Sequence, residues 1–264
     1  MDAWGKWRLN LTTPMKSILR GQEAFENHLA QFCAPIGWLP SLDAPTTLLK
    51  CKTGTCALVD TGKIKAFITC EHVWSQWKKY KDKHPNAELL VGLDDGAPLI
   101  ISNAELIACD EGCDLAVLKA EVAPQQMRTK AYCRIEKWPI PQPKIGDVVA
   151  IIGFTGTGRI LSRNQTAGWS TNFIGYSISG VTPRDITLAP ERKDDRMSHD
   201  ENWNAIPHGD IGGMSGSPAF LLKEQGAPQL VGFLRAGKTS DDFIFLTPAR
   251  FLQPDGKLHD VPPN

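Results

Sequence analysis

The chain has 264 residues, which is enough for one large domain or for two small domains that share an interface. Hydrophobic residues make up 42% of it and charged residues 22%, a balance typical of globular proteins and not of disordered ones. Lysine plus arginine equals aspartate plus glutamate at 29 each, so bulk charge predicts neither a nucleic-acid partner nor a membrane partner.

The start of the chain lacks the apolar core of a secretory signal, because charged residues and Pro14 interrupt it. The chain contains seven cysteines, an odd number that cannot all pair with one another. Both observations favour a cytoplasmic protein whose cysteines are small buried thiols. The gaps between Cys51 and Cys56 and between Cys109 and Cys113 are wider than the two-residue gap of most zinc knuckles, so ordinary core thiols are favoured over a zinc site. We expect no metal and no cofactor.

Residues 14–33 are predicted to form an amphipathic helix. Thr13 can cap it, Pro14 suits its first turn, and apolar residues follow near helical spacing at Met15, Ile18, Leu19, Phe25, Leu29 and Phe32. We favour packing of this helix on the domain surface, and its use as a docking element for a regulatory protein partner is the alternative. Residues 1–45 are therefore assigned to an N-terminal helical extension.

From Thr46 onward the pattern changes to short β-type runs separated by turn residues. The first set of predicted strands covers 46–51, 55–60, 64–69, 88–92, 98–101, 104–108 and 115–120. An irregular, proline-containing stretch follows from Val122 to Gly146. The second set covers 147–153, 158–162, 165–169, 173–179, 185–189, 217–222, 229–235 and 243–247, before a short helix at 249–252.

Two sets of strands joined by a linker predict an all-β fold of two packed six-stranded antiparallel β-barrels, with the N-terminal helical extension and a short C-terminal helix. The first barrel is assigned to residues 46–130. The linker, the second barrel and the C-terminal helix are assigned to residues 131–264. The mixed-charge run at 191–201 is interpreted as a solvated loop.

Three segments carry residues suited to acyl transfer. His72 follows the apolar run ending at Thr69, at a strand-to-helix turn, and Asp114 begins the apolar run Leu-Ala-Val-Leu. Ser215 lies in the glycine-rich turn Gly-Gly-Met-Ser-Gly-Ser-Pro. A serine hydroxyl needs a nearby histidine base, the histidine needs a carboxylate, and the reaction intermediate needs backbone N–H donors. The neighbouring Cys70 is interpreted as a buried thiol and not as a nucleophile.

These segments resemble those of the chymotrypsin-like (trypsin-like) serine peptidases. Thr69-x-x-His72 is similar to the family's Thr-Ala-Ala-His, and Asp114-Leu-Ala-Val-Leu is similar to Asp-Ile-Ala-Leu-Leu. The run from Gly213 to Pro218 is similar to Gly-Asp-Ser-Gly-Gly-Pro. Gly54-Thr-Cys-Ala-Leu-Val resembles a strand of bacterial members, so a bacterial-type member is expected. The resemblance covers about 46–252.

The resemblance implies a serine endopeptidase that acts on a protein or peptide through an acyl-enzyme intermediate. It implies a triad of His72, Asp114 and Ser215, and an oxyanion hole formed by the N–H groups of Gly213 and Ser215. The main alternative is a catalytically silent pseudo-peptidase that binds peptides or proteins. An esterase of the α/β-hydrolase fold is disfavoured, because its triad follows the order Ser, Asp, His.

The resemblance also implies a substrate pocket lined by His208, Gly209 and Asp210 and by Arg235 and Gly237. Gly209 stands where trypsin has the aspartate that selects basic residues. Asp210 could favour a basic side chain and Arg235 or His208 an acidic one, or their charges could cancel.

Met214 stands where secreted relatives have an aspartate that pairs with a newly cut N-terminus. A thioether cannot make that ion pair. The oxyanion hole is therefore expected to be shaped by the glycine-rich turn itself or to be completed by a partner or by substrate.

Overall fold

The computed structural model describes residues 22–39, 53–93, 98–155, 160–161, 167–168, 171–188, 212–223, 227–238 and 243–259. Several sequence predictions lie outside these ranges, namely helix residues 14–21, the strand at 46–51, the charged run at 191–201 and the pocket residues 208–210.

In the part of the first half that the structure describes, the chain forms one mixed sheet of eight strands with two α-helices. Its elements are α1 (Gln22–Ala30), β1 (Cys33–Leu39), β2 (Thr53–Asp60), β3 (Lys65–Thr69), α2 (Glu71–Lys83), β4 (Glu88–Val91), β5 (Leu99–Ile100), β6 (Glu105–Asp110), β7 (Leu115–Lys119) and β8 (Cys133–Arg134). The strands follow the order β5-β4-β1-β2-β3-β7-β6, and β8 pairs in parallel with β2.

The second half forms a closed antiparallel barrel. Its strands are β9 (Val148–Phe154), β10 (Ile160–Leu161), β11 (Ala167–Gly168), β12 (Thr171–Val181), β13 (Ile186–Leu188), β14 (Pro218–Leu221), β15 (Gln229–Lys238) and β16 (Phe243–Pro248). Six of them close in the order β12-β13-β16-β15-β14-β9, while β10 and β11 form a separate pair. A short 3-10 helix, Ala249–Phe251, follows the last strand.

The predominance of β-structure and one six-stranded barrel are thus confirmed. The first half differs from the prediction, because within the described residues its sheet is open and does not close into a six-stranded barrel. The parallel pairing of β8 with β2 is a second departure from a purely antiparallel arrangement.

The helix expected over residues 14–33 ends at Ala30 in the structure, and the segment from Cys33 to Leu39 is strand β1. Pro35 has no backbone N–H and cannot continue a helix. Six of the seven residues of β1 are buried, because the strand pairs with β2 on one side and with β4 on the other. A strand buried on both faces shows no alternation, so its sequence pattern is ambiguous.

Helix α1 packs against the protein's own core. Leu29 is fully buried, and the ring of Phe25 lies 6.2 Å from that of Phe173 in the barrel. Phe32, just after the helix, lies 5.8 Å from Phe220. This contact agrees with packing on the domain surface, and docking of a partner on the helix stays a prediction. Of the helices that the structure describes, none has the length and apolar character needed to cross a bilayer.

One apolar cluster joins the two halves. Side chains of β2 and β3, including Val59 and Ile68, share it with Ile152, Phe220 and Phe233 of the barrel, and all five are at most 1% exposed. Burying such side chains stabilises the fold by roughly 1.5–3 kcal/mol each. The shared core therefore holds the sheet and the barrel in a defined relative position.

Candidate active site

His72 is the second residue of helix α2, directly after strand β3. The helix is anchored to the first sheet by its buried residues Val73 and Trp77, which share an apolar cluster with Trp38 of β1. The Trp77 ring lies 6.4 Å from that of Trp38. The spacing of Val73, Trp77 and Tyr80 is helical, so it was a usable sequence signal for this helix. Anchoring on one face leaves the imidazole of His72 partly open, with 40% of its side chain exposed.

Asp114 ends the turn between β6 and β7. Its φ of 52° lies in the left-handed region, which residues other than glycine seldom adopt. The backbone N–H of Asp114 donates to the Glu111 carbonyl at 3.3 Å, and the Asp110 carboxylate accepts from the N–H of Cys113 at 2.8 Å. These local bonds stabilise a turn that aims the Asp114 carboxylate towards helix α2.

The barrel holds the same turn from the other side. The Thr247 hydroxyl of β16 donates to the carbonyl of Cys113 at 2.5 Å. The guanidinium of Arg184, between β12 and β13, donates to the carbonyl of Gly112 at 3.3 Å. Two side chains of the second half thus restrain the backbone directly before Asp114.

His72 and Asp114 meet through three hydrogen-bond contacts. The Nδ1 atom of His72 lies 2.8 Å from Oδ2 and 3.0 Å from Oδ1 of Asp114, and the backbone N–H of His72 donates to Oδ1 at 3.0 Å. The hydrogen bond to Asp114 raises the pKa of His72, and partial burial opposes that effect. An Nδ1–H held by the carboxylate leaves Nε2 as the basic nitrogen.

Ser215 lies in a turn with positive φ values of 95° at Gly213 and 88° at Gly216. A side chain at Gly216 would place its Cβ 2.2 Å from the carbonyl oxygen of Thr55 and 2.9 Å from the Cα of Thr69. Only glycine fits such an approach. The turn therefore packs against β2 and against the end of β3, directly before the segment that carries His72.

The oxyanion donors expected from the sequence, the N–H groups of Gly213 and Ser215, belong to this turn. The N–H of Ser217 donates to the Met214 carbonyl at 2.9 Å, and the N–H of Gly216 donates to the Leu234 carbonyl at 2.8 Å. Met214 is fully buried in the barrel core. It therefore supports the turn by packing.

Cys70 lies between β3 and α2 and is buried. Its thiol lies 3.2 Å from the carbonyl oxygen of Leu234, to which it can donate. Burial, reinforced by the charge of Asp114, raises the pKa of this thiol well above its ordinary value. Ligand atoms of Cys70, His72 and Asp114 lie within 4.8 Å of one another. A protonated thiol beside an imidazole already bonded to carboxylate is a poor donor set for a metal and a poor nucleophile.

Two of the expected pocket residues lie on β15. Arg235 approaches Asp185, with 2.9 Å between Nη2 and Oδ1, and each side chain is 26% exposed. Among the described residues Oδ1 has no aligned hydrogen-bond donor, so the contact is an ion pair. The charge of Arg235 is therefore matched within the barrel, and Gly237 pairs with Ile244 of β16. His208, Gly209 and Asp210 lie outside the described residues.

No family model matches the sequence, and a search of curated proteins finds no match. Among solved structures, the crystal structure of Deg5 matches with a TM-score of 0.50 and 15% identity, over 91% of this chain and 92% of that chain. This likeness supports a chymotrypsin-like fold.

Viral proteins also match. The crystal structure of tobacco vein mottling virus protease has a TM-score of 0.45 and 11% identity, covering 84% of this chain and 79% of that one. The serine protease domain of the Sesbania mosaic virus polyprotein has a TM-score of 0.44 and 13% identity, covering 81% and 87%. A bacterial-type member, as distinct from a viral one, stays a prediction.

Proposed function

We propose that the chain is a serine endopeptidase that hydrolyses peptide bonds through an acyl-enzyme, with His72, Asp114 and Ser215 as its triad. The observation that carries the proposal is the contact of the His72 ring with both carboxylate oxygens of Asp114, at 2.8 and 3.0 Å. This contact keeps the proton on Nδ1 and leaves Nε2 as the base, and the turn that carries Ser215 packs against Thr69, at the end of the strand that precedes His72.

The proposed reaction follows from these roles. Nε2 of His72 accepts the hydroxyl proton of Ser215 as its oxygen attacks the peptide carbonyl, and then donates that proton to the leaving amine. Asp114 stabilises the imidazolium that exists between the two transfers. Water activated by the same nitrogen then hydrolyses the ester and regenerates the serine.

The negative oxygen of the tetrahedral intermediate needs donors that are already oriented when charge develops. The N–H groups of Gly213 and Ser215 are the proposed donors. The bond from the Ser217 N–H to the Met214 carbonyl supports this assignment, because a planar peptide fixed at its carbonyl also has a fixed N–H on Ser215. The substrate is a protein or peptide, and the proposed chemistry uses no cofactor.

A fluorophosphonate probe tests the proposal directly, because it reacts with a serine only where a base activates the hydroxyl. The parent protein should be labelled on Ser215 and should cleave members of a peptide library detected by mass spectrometry. Ser215→Ala and His72→Ala should lose both signals. Ser179→Ala is the matched control, because Ser179 is exposed on β12 and its hydroxyl donates to the Thr187 carbonyl at 3.1 Å, away from the proposed triad.

A folded parent protein that is neither labelled nor cleaves any library member would overturn the proposal. Binding of library peptides without cleavage would then identify the pseudo-peptidase.

A further inference from the structure

Thr55 of strand β2 connects the first sheet to the Ser215 turn, and it is completely buried. Its backbone N–H donates to the Ser215 carbonyl at 2.9 Å. Its hydroxyl donates to the Gly213 carbonyl at 3.2 Å and accepts from the N–H of Phe154 at 3.0 Å. Thr55 thus bonds two carbonyls of the turn, that of Gly213 directly before Met214 and that of Ser215.

These bonds act on the geometry of the turn because peptide groups are planar. The Thr55 hydroxyl restrains the peptide between Gly213 and Met214, and the Ser217 N–H restrains the next peptide, which carries the N–H of Ser215. Because both of these neighbouring peptide planes are restrained, the φ and ψ angles of Met214 between them can vary little. The turn is therefore held without any charged side chain at position 214.

Thr55 is itself fixed to the strand that leads to the histidine. Its carbonyl accepts the hydroxyl of Thr69 at 2.8 Å, and Thr69 ends β3 shortly before His72. The same carbonyl oxygen is the atom nearest to the position that a Cβ on Gly216 would occupy. The backbone of Thr55 therefore sets the position of the Ser215 turn relative to the end of β3.

We propose that Thr55 is a positioning residue that holds the turn from Gly213 to Ser215 in the shape needed to bind an oxyanion. The proposal rests on the proposed peptidase function and adds to it a hole that the fold itself preforms. The buried hydroxyl of Thr55 thereby helps to shape the oxyanion hole, which the thioether of Met214 cannot do through an ion pair. No second protein is needed to shape the hole.

The test uses Thr55→Val, which removes the hydroxyl and keeps the side-chain shape, together with Thr55→Ser, which keeps the hydroxyl. Thr61→Val is the matched control. Thr61 is also buried, and its hydroxyl also bonds backbone carbonyls, those of Ile64 and Pro254. These bonds close the turn after β2 and join it to the C-terminal segment, and they involve no residue of the Ser215 turn.

The first readout needs no activity. Amide hydrogen exchange of the segment 212–217 should be at least ~10-fold faster in Thr55→Val than in the parent, because about 1.4 kcal/mol of lost restraint corresponds to that factor. Thr55→Ser should restore slow exchange, and Thr61→Val should leave this segment unchanged. Unchanged exchange in Thr55→Val would overturn the proposal whether or not the protein is a peptidase.

The second readout is hydrolysis of a peptide identified from the library. Thr55→Val should lower kcat by ~10- to 100-fold and leave KM within about twofold, because the hole acts mainly on the transition state. Affinity for an aldehyde of the same peptide, which forms a tetrahedral adduct, should fall in proportion. Thr55→Ser should recover kcat, and Thr61→Val should lower only the melting temperature.

Equal kcat values for the two valine variants would assign Thr55 a purely structural role and overturn the proposal, while peptidase function would stand. Absence of labelling and cleavage in the parent protein would instead remove the peptidase function. The exchange measurement would then decide whether Thr55 restrains the turn. Where Thr55→Val does not fold, Thr55→Cys, with a weak donor of similar size, takes its place in both readouts.

Discussion

Replacing Gly216 by alanine tests the close packing of the Ser215 turn on the first sheet. The added Cβ would lie 2.2 Å from the carbonyl oxygen of Thr55 and 2.9 Å from the Cα of Thr69, and backbone atoms cannot rotate away. The positive φ adds ~1–2 kcal/mol of strain, and displacement of packed atoms adds ~1–3 kcal/mol. We expect Gly216→Ala to lower the free energy of unfolding by roughly 2–5 kcal/mol.

Gly62→Ala is the matched control. Gly62 has a nearly equal φ of 85°, but a Cβ there would meet no atom within 4 Å. It should therefore show the conformational strain of ~1–2 kcal/mol alone. Because 1 kcal/mol shifts the melting temperature of a chain of this size by about 2–4 °C, Gly216→Ala should melt roughly 2–12 °C below Gly62→Ala.

Thermal unfolding followed by circular dichroism measures this difference, and the rate of fluorophosphonate labelling measures its effect on the site. A displacement of about 1 Å at the serine is expected to slow labelling ~100-fold in Gly216→Ala. Gly62→Ala should be labelled at the parent rate. Equal melting temperatures and equal labelling rates for the two variants would refute the inferred contact between the turn and the sheet.

Four further outcomes are expected. Ser215→Ala should abolish peptide cleavage and leave the melting temperature within ~2 °C of the parent, because its half-buried hydroxyl fills no core volume; retained cleavage would contradict the triad. The raised pKa of His72 should shift the acid limb of kcat/KM upward from the position expected for an ordinary histidine, because the base is lost as pH falls through that pKa. Asp114→Asn should move this limb to lower pH and reduce the rate ~10⁴-fold; a stationary limb would argue against the His72–Asp114 bond. Iodoacetamide should modify Cys109 slowly. This cysteine is exposed, but partial burial of its thiol and the nearby carboxylates raise its pKa to about 11. Mass spectrometry should find the buried thiols of Cys33, Cys56 and Cys70 unmodified.

The proposed triad residues could be picked out from the sequence because each lies in a short motif next to an apolar run, and their roles stay a prediction. Strands of the barrel could also be predicted from the sequence, since turn residues separate them. The segment predicted at 217–222 is observed as Pro218–Leu221, and that at 229–235 as Gln229–Lys238. The sequence pattern of a short segment was enough to predict these strands, because each strand lies within one segment bounded by turn residues.

The remaining features depend on contacts between distant parts of the chain. Phe25, Leu29 and Phe32 keep helical spacing, but Phe32 packs on the barrel beyond the end of α1, so spacing alone misplaced that end. Thr55 bonds Gly213, which lies 158 residues later, and nothing near Thr55 in the sequence indicates that partner. The sequence likewise does not indicate that Asp114 adopts a left-handed backbone conformation, with a φ of 52°.

The bonds from Thr247 and Arg184 to the turn before Asp114 have a consequence for the order of events during synthesis. Thr247 leaves the ribosome 133 residues after Asp114, so the turn emerges long before the side chain that clamps it. Until the barrel closes, the turn before Asp114 lacks the bonds from Thr247 and Arg184. The proposed triad would then reach its final geometry only after translation has passed Thr247.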